Sequence, residues 1–148
     1  MKILFSVIII FFDQLTKFII YKNIPVNNSV TVLSFLDIVH VKNTGISFGL
    51  LANSGYSSII SLLVAFIVVF LIFWFFSTNN NIEKWGLLII ISGGFGNLID
   101  RIIRQYVIDF IYFNYNSYYW PAFNIADIAI TIGFIIIIFG NYRKKNIE

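Results

Sequence analysis

Residues Ser57 to Phe76 read SSIISLLVAFIVVFLIFWFF, with no charged side chain and no proline or glycine. A helix needs roughly 20 predominantly apolar residues to cross the hydrocarbon core of a bilayer, and this run meets that length with β-branched and aromatic residues on every face. The segment therefore predicts a membrane-spanning helix rather than a buried helix of a soluble domain. Working outward, Trp85 to about Arg104 forms another apolar run on one side, and Ile3 to about Tyr21 forms one on the other. Phe123 to Gly140 makes the last. The whole chain agrees: 59% of its 148 residues are apolar, 11% are charged, and the mean hydropathy is +0.87, far from a soluble composition. The expectation is an all-α membrane protein of four transmembrane helices, residues 1–148 forming a single membrane-embedded domain.

Three intervals separate the four runs, and the first breaks the pattern. Asn23 to about Tyr56 is polar and contains SVTVLSFLDIVHVKNTGISFG, where Val30 and Val32, then Ile38, His40 and Lys42, alternate with neighbours of opposite character. Period-two alternation with frequent β-branching predicts a small β-rich segment between helices 1 and 2. Residues 77–84 make a short polar turn. The first run carries Asp13 and Lys17 and lacks a small-residue cleavage site, so it is expected to be a retained helix and not a cleaved leader. Arg143, Lys144 and Lys145 cluster at the tail, and by the positive-inside tendency both termini face the cytoplasm. The polar interval and Asp109 then share the outer side.

The polar residues inside the runs fall at one depth. Asp13 and Lys17 lie toward the outer end of the first helix, Asn97, Asp100 and Arg101 toward the outer end of the third, and Asn124 and Asp127 at the outer start of the fourth. Asp109 and Asp127 flank an aromatic interval, Tyr112 to Trp120, of the kind that anchors at the headgroup level. An intramembrane carboxylate is costly and marks a functional site unless paired. Asp13 and Lys17, at i and i+4, supply such a pair. Asp109 and Asp127 have no basic neighbour within a helical turn, and two carboxylates sharing a site hold one proton between them, giving an acid and a base side by side.

Other chemistries lack their parts. With no cysteine and one histidine, His40, neither a thiol nucleophile nor a histidine zinc site can be built, and no cofactor or metal is expected. Ser92 with His40 lacks a third group. The basic tail is an orientation signal, so no nucleic-acid partner is expected. A proton-coupled transporter or channel subunit is the alternative from another class, disfavoured because the inner halves of the runs carry no ionisable path.

Five blocks, DQLTK (Asp13 to Lys17), NTGISFG (Asn43 to Gly49), GGFGNLIDR (Gly93 to Arg101), VIDF (Val107 to Phe110) and PAFNIAD (Pro121 to Asp127), resemble in order the motifs of the lipoprotein signal peptidase family, also called signal peptidase II. Ser92-Gly93-Gly94 and Ser47 depart from the family pattern by exchanges between small residues. The resemblance implies a four-helix aspartyl peptidase of the bacterial cytoplasmic membrane, with Asp109 and Asp127 as catalytic dyad near the outer face. It further implies that Asn43, Gly45, Asn97, Asp100, Arg101 and Asn124 line the substrate pocket or support the dyad, with Asp13 and Lys17 at a supporting site. The implied partners are membrane lipid and prolipoproteins carrying a diacylglyceryl cysteine, cut just before that cysteine; separately from the resemblance, the chain is expected to be a monomer.

Overall fold

A computed structural model describes residues 2–45, 57–116 and 118–145. Among these residues there are four helices: α1 (Lys2–Asn23), α2 (Ser57–Ser77), α3 (Asn81–Arg104) and α4 (Ile125–Lys145). Strands β1 (Ser29–Leu33), β2 (Leu36–Asn43), β3 (Val107–Tyr115) and β4 (Tyr118–Tyr119) form one antiparallel sheet in the order β1-β2-β3-β4. Of the described helices, α1, α2 and α3 are long and apolar enough to cross a membrane, whereas the apolar part of α4 runs only from Ile125 to Gly140. Their outer faces are bare hydrocarbon, with Leu62, Phe66, Phe73 and Phe76 each about three-quarters exposed. An exposed apolar surface of this extent marks contact with a membrane or with another protein.

The sheet is larger than expected. β1 and β2 are the hairpin anticipated between the first two helices, but β3 and β4 come from the interval after α3, so Asp109 sits in a strand and not on a loop. Within β3, Ile108 and Phe110 pack on Ile20 of α1, so by strand alternation Val107 and Asp109 point to the opposite face. All four are buried. Because both faces of this stretch are covered, its side chains lose the polar and apolar alternation that betrays a strand. A register shift between Ile38 and Val41 in β2 sets Val41 opposite Asp109.

Two element boundaries also differ from the sequence expectation, each with a local cause. The turn after α2 is shorter than residues 77–84, because Asn80 caps α3 by accepting from the backbone N–H groups of Ile82 and Glu83. This starts the helix at Asn81 instead of Trp85. At its other end Gln105 adopts the left-handed conformation, φ 66°, and donates its N–H to the Arg101 carbonyl, which stops the helix and sends the chain directly into β3. Phe123 lies outside α4, in a bridge: its N–H and carbonyl bond Ile111, and the carbonyl also accepts from Phe110. That bridge fixes the start of α4 beside β3.

The sheet packs against the ends of α1 and α3. The C-terminal ends of α1 and α3 and the N-terminal end of α4 therefore lie together beneath it.

Candidate active site

The start of α4 is built by a reciprocal cap. Asn124 precedes the helix and its Oδ1 accepts the Asp127 N–H at 3.0 Å, while Asp127 Oδ2 accepts the Asn124 N–H at 3.2 Å. This is the capping-box arrangement with Asp in the third position. It satisfies two of the backbone donors that a helix start leaves open, and it fixes the Asp127 carboxylate without any basic residue. The next donor along, the Ala126 N–H, reaches across to Asp13 Oδ1 of α1 at 2.9 Å.

Asp109 is 2% exposed and accepts two amides. Asn43 Nδ2 donates to Oδ2 at 2.9 Å and Asn124 Nδ2 donates to Oδ1 at 2.6 Å. Asn97 Nδ2 donates to Asp127 Oδ1 at 2.9 Å. All four oxygens of the two carboxylates thus accept an N–H from an asparagine, three from side-chain amides and one from a backbone. Asn124 links the two acids directly, capping one and donating to the other.

Behind this row lies a buried ion cluster. Lys17 Nζ lies 2.8 Å from Asp13 Oδ2 and 3.2 Å from Asp100 Oδ2, and donates to Asn97 Oδ1 at 2.9 Å. Asp13, Lys17 and Asp100 are fully buried. Asp100 also accepts Arg104 Nη1 at 2.5 Å and the Ile108 N–H at 3.2 Å, so it ties α3 to the strand bearing Asp109. The sequence places Arg101 next to Asp100, but neighbours on a helix do not face each other. Arg101 instead donates to the carbonyls of Gly45, at 2.9 Å, and Asn97. The Gly45 N–H in turn donates to Asn43 Oδ1 at 2.9 Å, so Arg101 holds the turn that aims Asn43 at Asp109.

The residues singled out in the sequence are thus brought together: Asp13, Lys17, Asn43, Gly45, Asn97, Asp100, Arg101, Asp109, Asn124 and Asp127 belong to one hydrogen-bonded cluster. The part of the NTGISFG block beyond Gly45 lies outside the described residues. Sequence reasoning missed Gln14, whose amide donates to Asp13 and to the Gly96 carbonyl, and Arg104. For Arg104 the i,i+4 spacing to Asp100 was the available signal. Ser92 and His40 stay apart: Ser92 Oγ donates to Leu88 of its own helix, and His40 Nδ1 bonds the Ile24 carbonyl.

Two largely apolar cavities border the cluster. A cavity of about 290 Å³ beside Asp127 is lined by Trp120, Phe123, Ile128, Thr131 and Ile132. Another, of about 230 Å³, runs between α2 and α3 and has Asn97 and Arg101 at its polar end.

Burial pushes the Asp109 carboxyl from its ordinary 3.8 up to about 7; the neighbouring Asp127 charge adds to this, and the Asn43 and Asn124 amides and the Lys17 charge oppose it. The folded protein therefore holds this proton through a range in which the unfolded chain has lost it. By linkage, the stability tied to Asp109 is full below the unfolded value, declines as pH rises toward 7 and is level above. Asp109→Asn removes that slope. The Tm difference between variant and wild type is expected to move in the variant's favour from about pH 4 to about pH 7 and then flatten; a difference constant with pH would contradict the burial of a titrating Asp109.

Known proteins agree with this architecture. The family model described as Signal peptidase (SPase) II matches residues 5–143. A lipoprotein signal peptidase of Thermodesulfovibrio yellowstonii is 40% identical over 139 residues, 93% of this chain and 91% of that protein. One from Rickettsia bellii is 41% identical over 152 aligned residues, covering 99% of this chain and 76% of the relative. A solved structure described as a bacterial membrane enzyme superposes with a TM-score of 0.87 at 33% identity, over 97% of this chain and 88% of its own. A match over nearly the full length, in sequence and in fold, decides the assignment: the chain belongs to the signal peptidase II family of proteases.

Proposed function

We propose that the protein is a membrane aspartyl endopeptidase that removes the signal peptide from diacylglyceryl-modified prolipoproteins, cutting just before the lipidated cysteine, with Asp109 and Asp127 as the catalytic pair. One observation carries the assignment of the pair: two carboxylates from different elements share one hydrogen-bonded row, linked by Asn124, with every oxygen already accepting an amide. The amides steady both carboxylates, while burial and the Asp127 charge favour a proton on Asp109, so in this reading the pair holds one proton between them. The ionised member takes a proton from water as its oxygen attacks the carbonyl carbon of the residue before the cysteine. The protonated member donates first toward the carbonyl oxygen; collapse of the tetrahedral intermediate then breaks the C–N bond, and the cysteine nitrogen leaves with a proton from the pair. Neighbouring carboxyls supply acid and base from one site.

In this reading all four helices span the bacterial cytoplasmic membrane. Both termini are cytoplasmic and the sheet lies at the outer face, where the site meets the substrate. Tyr112 and Tyr119, stacked at 6.2 Å between ring centres, and the exposed Tyr118 and Trp120 sit at the headgroup level. The two apolar cavities flanking the cluster take hydrocarbon, so a substrate held in the bilayer by its acyl chains arrives by lateral diffusion and its backbone meets the dyad at the boundary. The enzyme acts as a monomer.

Remote binding energy from the acyl chains is then spent at the reacting centre. A purified preparation in lipid is expected to cleave a diacylglyceryl-modified precursor at least about 100-fold faster, in kcat/KM, than the same precursor without the lipid. Equal rates on both would remove the lipid-anchored approach from this reading.

A further inference from the structure

The buried cluster contains a directional element that the dyad chemistry does not by itself require. Asn97 is the middle of a relay: its Oδ1 faces Lys17 and its Nδ2 faces Asp127. An ammonium has three donors and no acceptor, so the Asn97 atom against Lys17 must be the oxygen. The opposite orientation would set Nδ2 against Nζ and Oδ1 against a carboxylate oxygen. The Asn97 oxygen also accepts Asn124 Nδ2 at 3.2 Å, and that same Nδ2 donates to Asp109. One amide orientation is thus felt by both acids. Two of the Lys17 N–H groups are taken by Asp13 and Asp100, and the third is the one that meets Asn97.

We infer that Lys17 is a positioning residue for catalysis: through Asn97 it fixes which way the amide row points, so that both dyad carboxylates receive donors. This rests on the dyad reading above and deepens it. A cation placed only to neutralise Asp13 and Asp100 would leave the orientation of Asn97 to its bonds with Asp127 and Asn124, the longer of them 3.2 Å. With Lys17 present, an Asn97 rotation leaves the ammonium facing a donor and Asp127 facing an acceptor.

Lys17 is also a charge in the field of Asp109, where it favours the ionised form. Among the described residues, the other charged groups around Asp109 are Asp13 on α1, Asp100, Arg101 and Arg104 on α3, and Asp127 on α4. From β2, the His40 and Lys42 side chains engage Ile24 and the Tyr106 ring instead. Removing the Lys17 charge leaves the Asp109 carboxyl holding its proton to higher pH.

The test is steady-state kinetics across pH on a lipidated precursor. Lys17→Met is expected to lower kcat about 10- to 100-fold, the scale of a small misplacement of reacting groups, with KM within about twofold of wild type. The alkaline limb of kcat is expected to move up by about half to one pH unit. Lys17→Arg, which keeps the charge and the donors, returns the limb to its wild-type position. Because Lys17→Met leaves two buried carboxylates short of a cation, the balanced pair Asp13→Asn with Lys17→Met is measured alongside. The amide introduced at position 13 still offers an oxygen to the Ala126 N–H, so this pair is expected to accumulate and to show the same loss of kcat at unchanged KM. The proposal is overturned by wild-type kcat in the balanced pair, by failure of that pair to accumulate, by kcat and KM shifting together, or by an unmoved alkaline limb. Asp109→Asn and Asp127→Asn, run in the same assay, separate this failure from failure of the dyad: inactive Asp variants with an unaltered Lys17→Met profile would sink the positioning role alone.

Discussion

Asp127→Asn and Asp109→Asn are each expected to lower kcat on a lipidated precursor by at least about 10⁴-fold, the combined scale of losing an acid and a base that act as a unit. Either change leaves the other carboxyl without its proton-sharing partner, so no water is activated. The fold is expected to survive both. In Asp127→Asn the side chain keeps an oxygen for the Asn124 N–H, so the cap of α4 persists. The new amide nitrogen then opposes Asn97 Nδ2, which Lys17 prevents from turning away. In Asp109→Asn one new donor likewise turns toward Asn43 or Asn124. One such mismatch costs about 1–3 kcal/mol, within what a bundle of this size tolerates, and at neutral pH it is offset in Asp109→Asn by no longer burying the Asp109 charge. Both variants should reach the membrane at levels near wild type and bind substrate with little change. Turnover within about tenfold of wild type by either purified variant would end the dyad assignment.

How much of this was legible beforehand follows from which interactions leave a mark in sequence. The charge-free run at Ser57 to Phe76 declared a membrane helix outright, and Asp13 with Lys17 declared their own pairing through i,i+4 spacing. Asn124 with Asp127, at i,i+3, already had the form of a cap. What could not be read depended on partners far along the chain or on the backbone. β3 pairs with β2, and Asn43 meets Asp109 across 66 residues of chain, with no turn signal to advertise that pairing. Its residues Val107 to Phe110 are buried on both faces, which erases the alternation a half-buried strand would display. Gln105 ends α3 in a conformation usually left to glycine, so the expected residue type was absent. The partners of Arg101 are two carbonyls, and a carbonyl has no residue type. The side-chain chemistry of the site was therefore visible, while the strand that presents Asp109 was not.

The glycines of α3 have the second largest expected effect, because the seam between α3 and α4 holds Asn97 against Asp127. A Cβ built on Gly93 would lie 2.4 Å from the Ala126 carbonyl oxygen and 2.9 Å from Ile130 Cγ1, and one on Gly133 would lie 2.5 Å from the Gly86 carbonyl oxygen. The closest of these contacts are with backbone, which can yield only if the helices separate. Small residues are how membrane helices come this close. Gly93→Val should force α4 outward by about an ångström or more. Ala126 and Asp127 are adjacent, so the displacement falls on the 2.9 Å bond from Asn97 to Asp127 and on the Ala126 bond to Asp13. A shift of about 1 Å at reacting groups costs on the order of 100-fold in rate, and overpacking adds about 1–3 kcal/mol of lost stability. Gly94 supplies the control. Its Cβ would meet only Val68 Cγ2 of α2, at 2.8 Å, the tip of a side chain on a helix that contributes none of the hydrogen bonds described in the site. Gly94→Ala is therefore expected to keep kcat within about threefold and to cost less than about 1 kcal/mol, whereas Gly93→Val loses at least about 100-fold in kcat together with thermal stability. Equal effects at the two positions would mean that general crowding of α3, and not the spacing of α3 from α4, governs activity.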